Sequence, residues 1–149
     1  VYMPLKLVLA AFAASVSVAS AAAVPITVHR DPGCGCREKW AAQVRQQFGR
    51  RVAIIDDQQR SAFQRTHGVP ARLSSCHTAI VDGMVFEGHV PIADMKRVLA
   101  QRPRGVSGLA VTGMPLGSPG MEAPGQPVQP FNVLAFGAGS KTIYARHGE

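Results

Sequence analysis

Three cysteines carry the chemistry open to this chain. Cys34 and Cys36 flank Gly35, and Cys76 stands beside His77. An odd count leaves at least one thiol unpaired in a monomer. A disulfide across one intervening residue closes almost no loop and is strained, so Cys34 and Cys36 do not read as a framework staple. The thiols call instead for soft-metal binding or thiol–disulfide exchange, and the spacing argues against the latter, whose usual pair is separated by two residues. Both chemistries use the thiolate. The pair precedes a predicted helix, whose unpaired N–H groups and dipole favour thiolate. Residues two apart on a regular helix face different ways. In the turn before it, Gly35 lets the two sulfurs converge. The plainer alternative is two buried cysteines, but glycine and charged neighbours mark an accessible turn.

The elements that must position these thiols follow from periodicity. Val24 to His29 is short and β-branched, a first strand. Asp31-Pro32-Gly33 is a turn. From Arg37 the apolar residues Trp40, Ala41, Val44 and Phe48 have helical spacing, with Gly49 as the stop. Val52 to Ile55 is a second strand. Gln58 to His67 is a weaker helix with Ala62 and Phe63 as its inward side, broken by Gly68-Val69-Pro70. Thr78–Val81 and Met84–Glu87 are strands joined by Asp82-Gly83, a strong hairpin signal. Pro91 opens a helix with Ile92, Met95, Val98 and Leu99 on one face. The order β-α-β-α-β-β-α, with a cysteine pair between the first strand and first helix, is that of a thioredoxin-like α/β domain. We place it at residues 22–102. Residues 103–149 form a C-terminal extension packed on the same domain. Its stretch from Pro103 to Pro130 holds six prolines and six glycines, so it reads as irregular. A last hairpin follows, Phe131–Phe136 and Thr142–Ala145.

In a thioredoxin-like arrangement the loop before the central hairpin packs against the first helix's N-terminus. Here that loop is Ser75-Cys76-His77-Thr78, so a third thiol and an imidazole meet the first two. Three sulfurs and a nearby nitrogen suit Cu(I), or zinc. His77 serves equally well as a hydrogen-bonded loop histidine. His89, in Glu87-Gly88-His89-Val90-Pro91, is either a ligand or a turn residue. Met114 and Met121 fall in the Gly/Pro-rich stretch outside any periodic apolar face, and thioethers are soft ligands. Met84 and Met95 occupy core positions. His29, His67 and His147 have no evident partner.

Residues 1–21 have the three parts of a secretory signal. Met3-Pro4-Leu5-Lys6 supplies a positive start, and Val1-Tyr2 reads as upstream of it. Leu7 to Val18 is an apolar run too short for a membrane span, and Ala19-Ser20-Ala21 offers small residues for cleavage. The mature chain is expected to begin near Ala22 and to lie in the periplasm, with no membrane span after cleavage. The net charge is +7; cleavage removes one positive charge, Lys6. The remaining arginines are scattered from Arg30 to Arg146, without a dense block or interleaved aromatics, which argues against a nucleic-acid partner.

Several motifs, in order, resemble the CopG-type copper-resistance proteins, exported proteins of Gram-negative bacteria long known only as a domain of unknown function. They are Cys34-Gly35-Cys36 with Trp40; Leu73-Ser74-Ser75-Cys76-His77-Thr78-Ala79; Glu87-Gly88-His89-Val90-Pro91; Gly108-Leu109-Ala110-Val111; Gly113-Met114-Pro115; and Gly117-Ser118-Pro119-Gly120-Met121-Glu122. The resemblance runs from about Ile26 to His147. It implies a thioredoxin-like fold, an extension that helps to bind metal, thiolate-bound copper and a suspected Cu(I)/Cu(II) redox role. The family motif is Cys-x-Cys-Cys, and its last position here is Arg37. A site needing four cysteines cannot form in the same way, and Arg37 also repels a cation.

The leading expectation is an exported, monomeric copper-binding protein of copper tolerance. Its ligands would be Cys34, Cys36 and Cys76 with His77, His89, Met114 and Met121, and other periplasmic copper-handling proteins its partners. Dimerisation through the third thiol stays open. The alternatives are a periplasmic thiol–disulfide oxidoreductase and a non-catalytic adaptor with a degenerate metal site.

Overall fold

The computed structural model describes residues 23–33, 35–138 and 141–149, and of Cys36 and Arg37 only the backbone. The expected signal segment and Cys34 lie outside the described residues.

Strand β1 (Ile26–Arg30) runs through the Asp31 turn into helix α1 (Cys36–Phe48). Of the predicted inward positions of α1, Trp40, Ala41 and Val44 are buried and Phe48 is half-buried against the core, and the helix ends at Gly49. Strand β2 (Val52–Asp56) then pairs parallel to β1, as a helical crossover requires. Helix α2 (Arg60–Thr66) and one 3-10 turn (Ala71–Leu73) lead to β3 (His77–Val81) and β4 (Met84–Glu87). These two strands form the expected hairpin. At its turn Asp82 and Gly83 both take positive φ, 48° and 80°, the backbone of a two-residue turn matched to strand twist. Helix α3 (Ile92–Gln101) follows Pro91.

The sheet does not stop at β4. Strand β5 (Val106–Ala110) pairs parallel with β4, and β6 (Phe131–Gly137) and β7 (Lys141–His147) continue antiparallel. The order is β2-β1-β3-β4-β5-β6-β7. The first four strands with their helices are the thioredoxin-like α/β unit.

Two readings need correction. Pro103 to Pro130 is not irregular throughout, since it contains β5. Val106-Ser107-Gly108-Leu109-Ala110 has little strand propensity of its own; pairing on both sides, to β4 and β6, imposes the strand. The buried residues of α2 are Arg60 and Gln64, whereas the expected Ala62 and Phe63 are only half-buried, Phe63 stacking on His29. A polar demand beneath that helix, described below, overrides the apolar pattern.

The main core lies under α1 and α3. Trp40, Val44, Met95 and Val98 pack on Ile26, Val28, Ala79, Phe86 and Leu109. A smaller cluster joins Val69 and Leu73 to Val85, Ala110 and Phe136. Met84 and Met95 are core residues, 4% and 0% exposed. The last hairpin is tied to α3 by Asp94, whose carboxylate meets His147 at 2.7 Å and Arg97 at 2.8 Å.

Candidate metal centre

The β3–β4 hairpin brings the ends of two loops together. Cys76 immediately precedes β3, His77 is its first residue, and His89 lies two residues beyond β4. The Gly88 N–H donates to the His77 carbonyl at 2.8 Å, extending the ladder by one rung and setting the histidines side by side. Cys76 Sγ lies 3.2 Å from His77 Nδ1 and 3.2 Å from His89 Nε2. One donor atom from each residue falls within 4.8 Å of the others. Both histidines are fully buried, and Cys76 is an unbridged, half-buried thiol. Gly88 is essential to this corner. Its φ is +73°, and a Cβ there would lie 2.4 Å from the Val111 carbonyl oxygen and 2.6 Å from Ser75 Oγ.

The chain also sets the orientation of His89. Its Nδ1 lies 2.8 Å from the Pro119 carbonyl oxygen. A carbonyl only accepts, so Nδ1 carries the proton. In the neutral ring Nε2 then presents its lone pair toward Cys76, the outer-shell pattern common to metal-binding histidines. The His77 ring leans on Trp40, with centroids 4.5 Å apart, and meets the His89 ring edge-on. Trp40 Nε1 donates to the Val90 carbonyl at 3.0 Å, pinning the corner next to His89. Helix α1, β3, the Gly88 corner and the strap around Pro119 therefore converge on one place.

Beneath it lies a buried polar network. Glu87 is 0% exposed. Its Oε1 accepts from the Ser75 N–H at 2.6 Å and from Gln64 at 2.7 Å, and its Oε2 from the Thr78 hydroxyl at 2.6 Å. Arg60 approaches Oε1 at 3.4 Å. Burial pushes the Glu87 carboxyl above its usual range, and these donors only partly offset it. Burial opposes the charge of Arg60, but the hydrogen bonds it donates to Asp31 and the charge of Glu87 hold its pKa above the ordinary value.

The expected ligands are thus only partly gathered. Cys76, His77 and His89 form one cluster. Cys34 lies outside the described residues, and Cys36 begins α1, the helix that carries Trp40 to His77. Met114 is half exposed in the loop after β5, whose Gly113 carbonyl accepts from the Ser75 hydroxyl at 3.1 Å. Met121 is half-buried in the strap beside Gly120, where an added Cβ would lie 2.9 Å from the Trp40 nitrogen. Three histidines without evident partners do have them. His29 meets Asp57 at 3.0 Å and stacks on Phe63, His67 Nδ1 lies 2.8 Å from the Phe63 carbonyl oxygen, and His147 meets Asp94. Arg60, Gln64 and Glu87 went unrecognised in the sequence. The available signal was Glu87 itself, a carboxylate closing an otherwise apolar strand.

The donor chemistry fits a soft or borderline ion. Metal–sulfur and metal–nitrogen bonds of about 2.3 and 2.0 Å at a tetrahedral angle separate the two donors by about 3.5 Å. The observed 3.2 Å spacings need only a small spread to reach that. One thiol with two imidazoles, without a carboxylate in the cluster, suits Cu(I) or zinc rather than a hard cation.

A family model described as protein of unknown function, DUF411, matches residues 73–121, the span from the Cys76 loop to the strap. Two solved structures of a copper resistance protein CopG are similar over most of both chains. Form 1 matches with a TM-score of 0.75 and 34% identity, covering 85% of this chain and 99% of that one. Form 2 matches with a TM-score of 0.73 and 35% identity, covering 83% and 97%. No curated protein sequence matches.

Proposed function

This chain belongs to the family of the CopG copper-resistance proteins, and we propose that it is an exported copper-binding protein of copper tolerance that holds Cu(I) through cysteine thiolates. The Cys76–His77–His89 cluster carries this reading, with its two 3.2 Å sulfur–nitrogen spacings and the lone pair of a neutral His89 turned toward the thiol. Cys34 and Cys36 complete the sulfur set, and Met114 and Met121 are the thioether candidates on the segment that reaches His89. The residues of this chain bind and orient the ion. Cys76 supplies a soft anionic donor once its proton leaves, His89 a directed nitrogen, and Trp40 with the strap keeps both rings away from water. Arg37, in place of the family's last motif cysteine, reduces the sulfur set and adds a positive charge, so fewer ions or weaker binding are expected than with four thiolates. The secretory pattern of residues 1–21 supports periplasmic placement.

Anaerobic Cu(I) titration of the reduced protein against a chelator, with copper counted by elemental analysis, tests the reading. Stoichiometric binding that weakens at least tenfold in Cys76→Ser and in His89→Ala is expected. Wild-type protein that takes up no copper refutes it. Insulin reduction by that same protein would then favour a thiol–disulfide oxidoreductase.

A further inference from the structure

Helix α2 turns Arg60 and Gln64 inward, 7% and 6% exposed, where apolar side chains would be cheaper to bury. Arg60 meets the Asp31 carboxylate through two bonds, Nε to Oδ1 and Nη2 to Oδ2, each 2.9 Å. Its Nη2 also donates to the Ser75 carbonyl at 2.7 Å. The Ser75 N–H is claimed from below by Glu87 at 2.6 Å. Gln64 Nε2 bridges Glu87 and the Ser74 hydroxyl, at 2.7 and 2.9 Å. Both backbone polar groups of Ser75, the residue before Cys76, are thus held by side chains rather than by the sheet ladder. The same guanidinium grips Asp31, which stands three residues before Cys34 in the chain.

Two loops that carry thiols are therefore spanned by one planar, forked group. Lysine, a point donor on a flexible stem, cannot reproduce that span. A buried ion pair is not in itself a strong source of stability. Its value lies in geometry, because ligands work best when neighbouring groups fix them.

We infer that Arg60, with Glu87 beneath it, is a positioning residue for the thiol site: it sets the distance between the Asp31 turn and the Ser75–Cys76 loop without itself touching the ion. This rests on the copper-binding reading above. The ligands are all present in Arg60 variants, so copper still binds, but to an unfixed Cys76.

The test compares wild type with Arg60→Lys, Arg60→Leu, Glu87→Gln and Asp31→Asn in the full chain. Asp31 is half exposed on its side chain, so Asp31→Asn is expected to leave folding intact even if a buried substitution does not. Cu(I) affinity is read by chelator competition, and the sulfur neighbours of copper by X-ray absorption. Arg60→Lys is expected to lose about ten- to a hundredfold in affinity and Asp31→Asn several-fold. Both should lose sulfur scattering at copper while their circular dichroism stays that of wild type. Arg60→Lys and Asp31→Asn that bind copper with wild-type affinity and wild-type sulfur neighbours overturn this inference and leave the copper-binding reading standing. Wild-type protein that binds no Cu(I) overturns both.

Discussion

Replacing Trp40 by Phe probes how the covered site is built. Trp40 is fully buried between the His77 ring and the strap, and its Nε1 donates to the Val90 carbonyl at 3.0 Å. That carbonyl belongs to the corner holding His89, where the Val90 N–H already donates to Gly88 at 2.9 Å. Phenylalanine keeps one ring but deletes the donor. The buried carbonyl left behind costs about 1–3 kcal/mol. The lost second ring adds part of the roughly 3–5 kcal/mol that a full tryptophan truncation costs. We expect a loss of about 2–4 kcal/mol, which lowers Tm by roughly 10 °C at this chain length. Circular dichroism melts of metal-free, reduced protein measure it, so copper cannot mask the effect. Cu(I) affinity should fall too, because the corner no longer fixes His89. A Trp40→Phe protein melting within about 2 °C of wild type, or one as tight for Cu(I), would refute the claim that the indole bond holds that corner.

Gly88→Ala forces a Cβ to 2.4 Å from the Val111 oxygen at a φ of +73°, and should cost roughly 2–5 kcal/mol from strain and overpacking together; a urea midpoint equal to wild type would contradict this. The hydrogen bond from His29, then the Gln59 N–H, hold the Asp57 carboxyl below its usual range. Its stabilisation is therefore complete above the ordinary carboxylate pKa of about 4 and fades as pH falls through the lower folded value. Asp57→Asn should flatten that part of the acid limb in urea melts between about pH 5 and 2, whereas an unchanged acid limb would show that the pair carries none of it.

Local pattern made most of this architecture legible. Helix α1 follows Trp40, Ala41, Val44 and Phe48, and the β3–β4 hairpin follows Asp82-Gly83, because each is decided by neighbours within a few residues. Strand β5 was not legible. Ser107 and Gly108 weaken its pattern, and only β4 and β6 make it a strand. Of the site, Cys76 was legible from its type and its place before the hairpin, while His77 read equally well as a structural loop residue. His89 stayed ambiguous because its role depends on the Pro119 carbonyl, thirty residues away in sequence. The Arg60–Glu87 support was hidden for a related reason. A helical pattern reports where apolar side chains go, and α2 instead turns its polar side inward to satisfy the backbone of Ser75.

The open seven-stranded sheet also leaves two outer strands, β2 and β7, among the described residues. Such rims are templates onto which another chain can add a strand. Here each rim is guarded. The β2 rim is only five residues long, with Arg51 before it and Asp56 closing it. The β7 rim carries Lys141 and Arg146, and its register with β6 shifts between Val133 and Leu134, which breaks the regular spacing a recruited strand would need. Short length, charge and an interrupted ladder all work against strand-by-strand accretion of copies. The extension that brings the strap to His89 thereby widens the sheet without offering a sticky border.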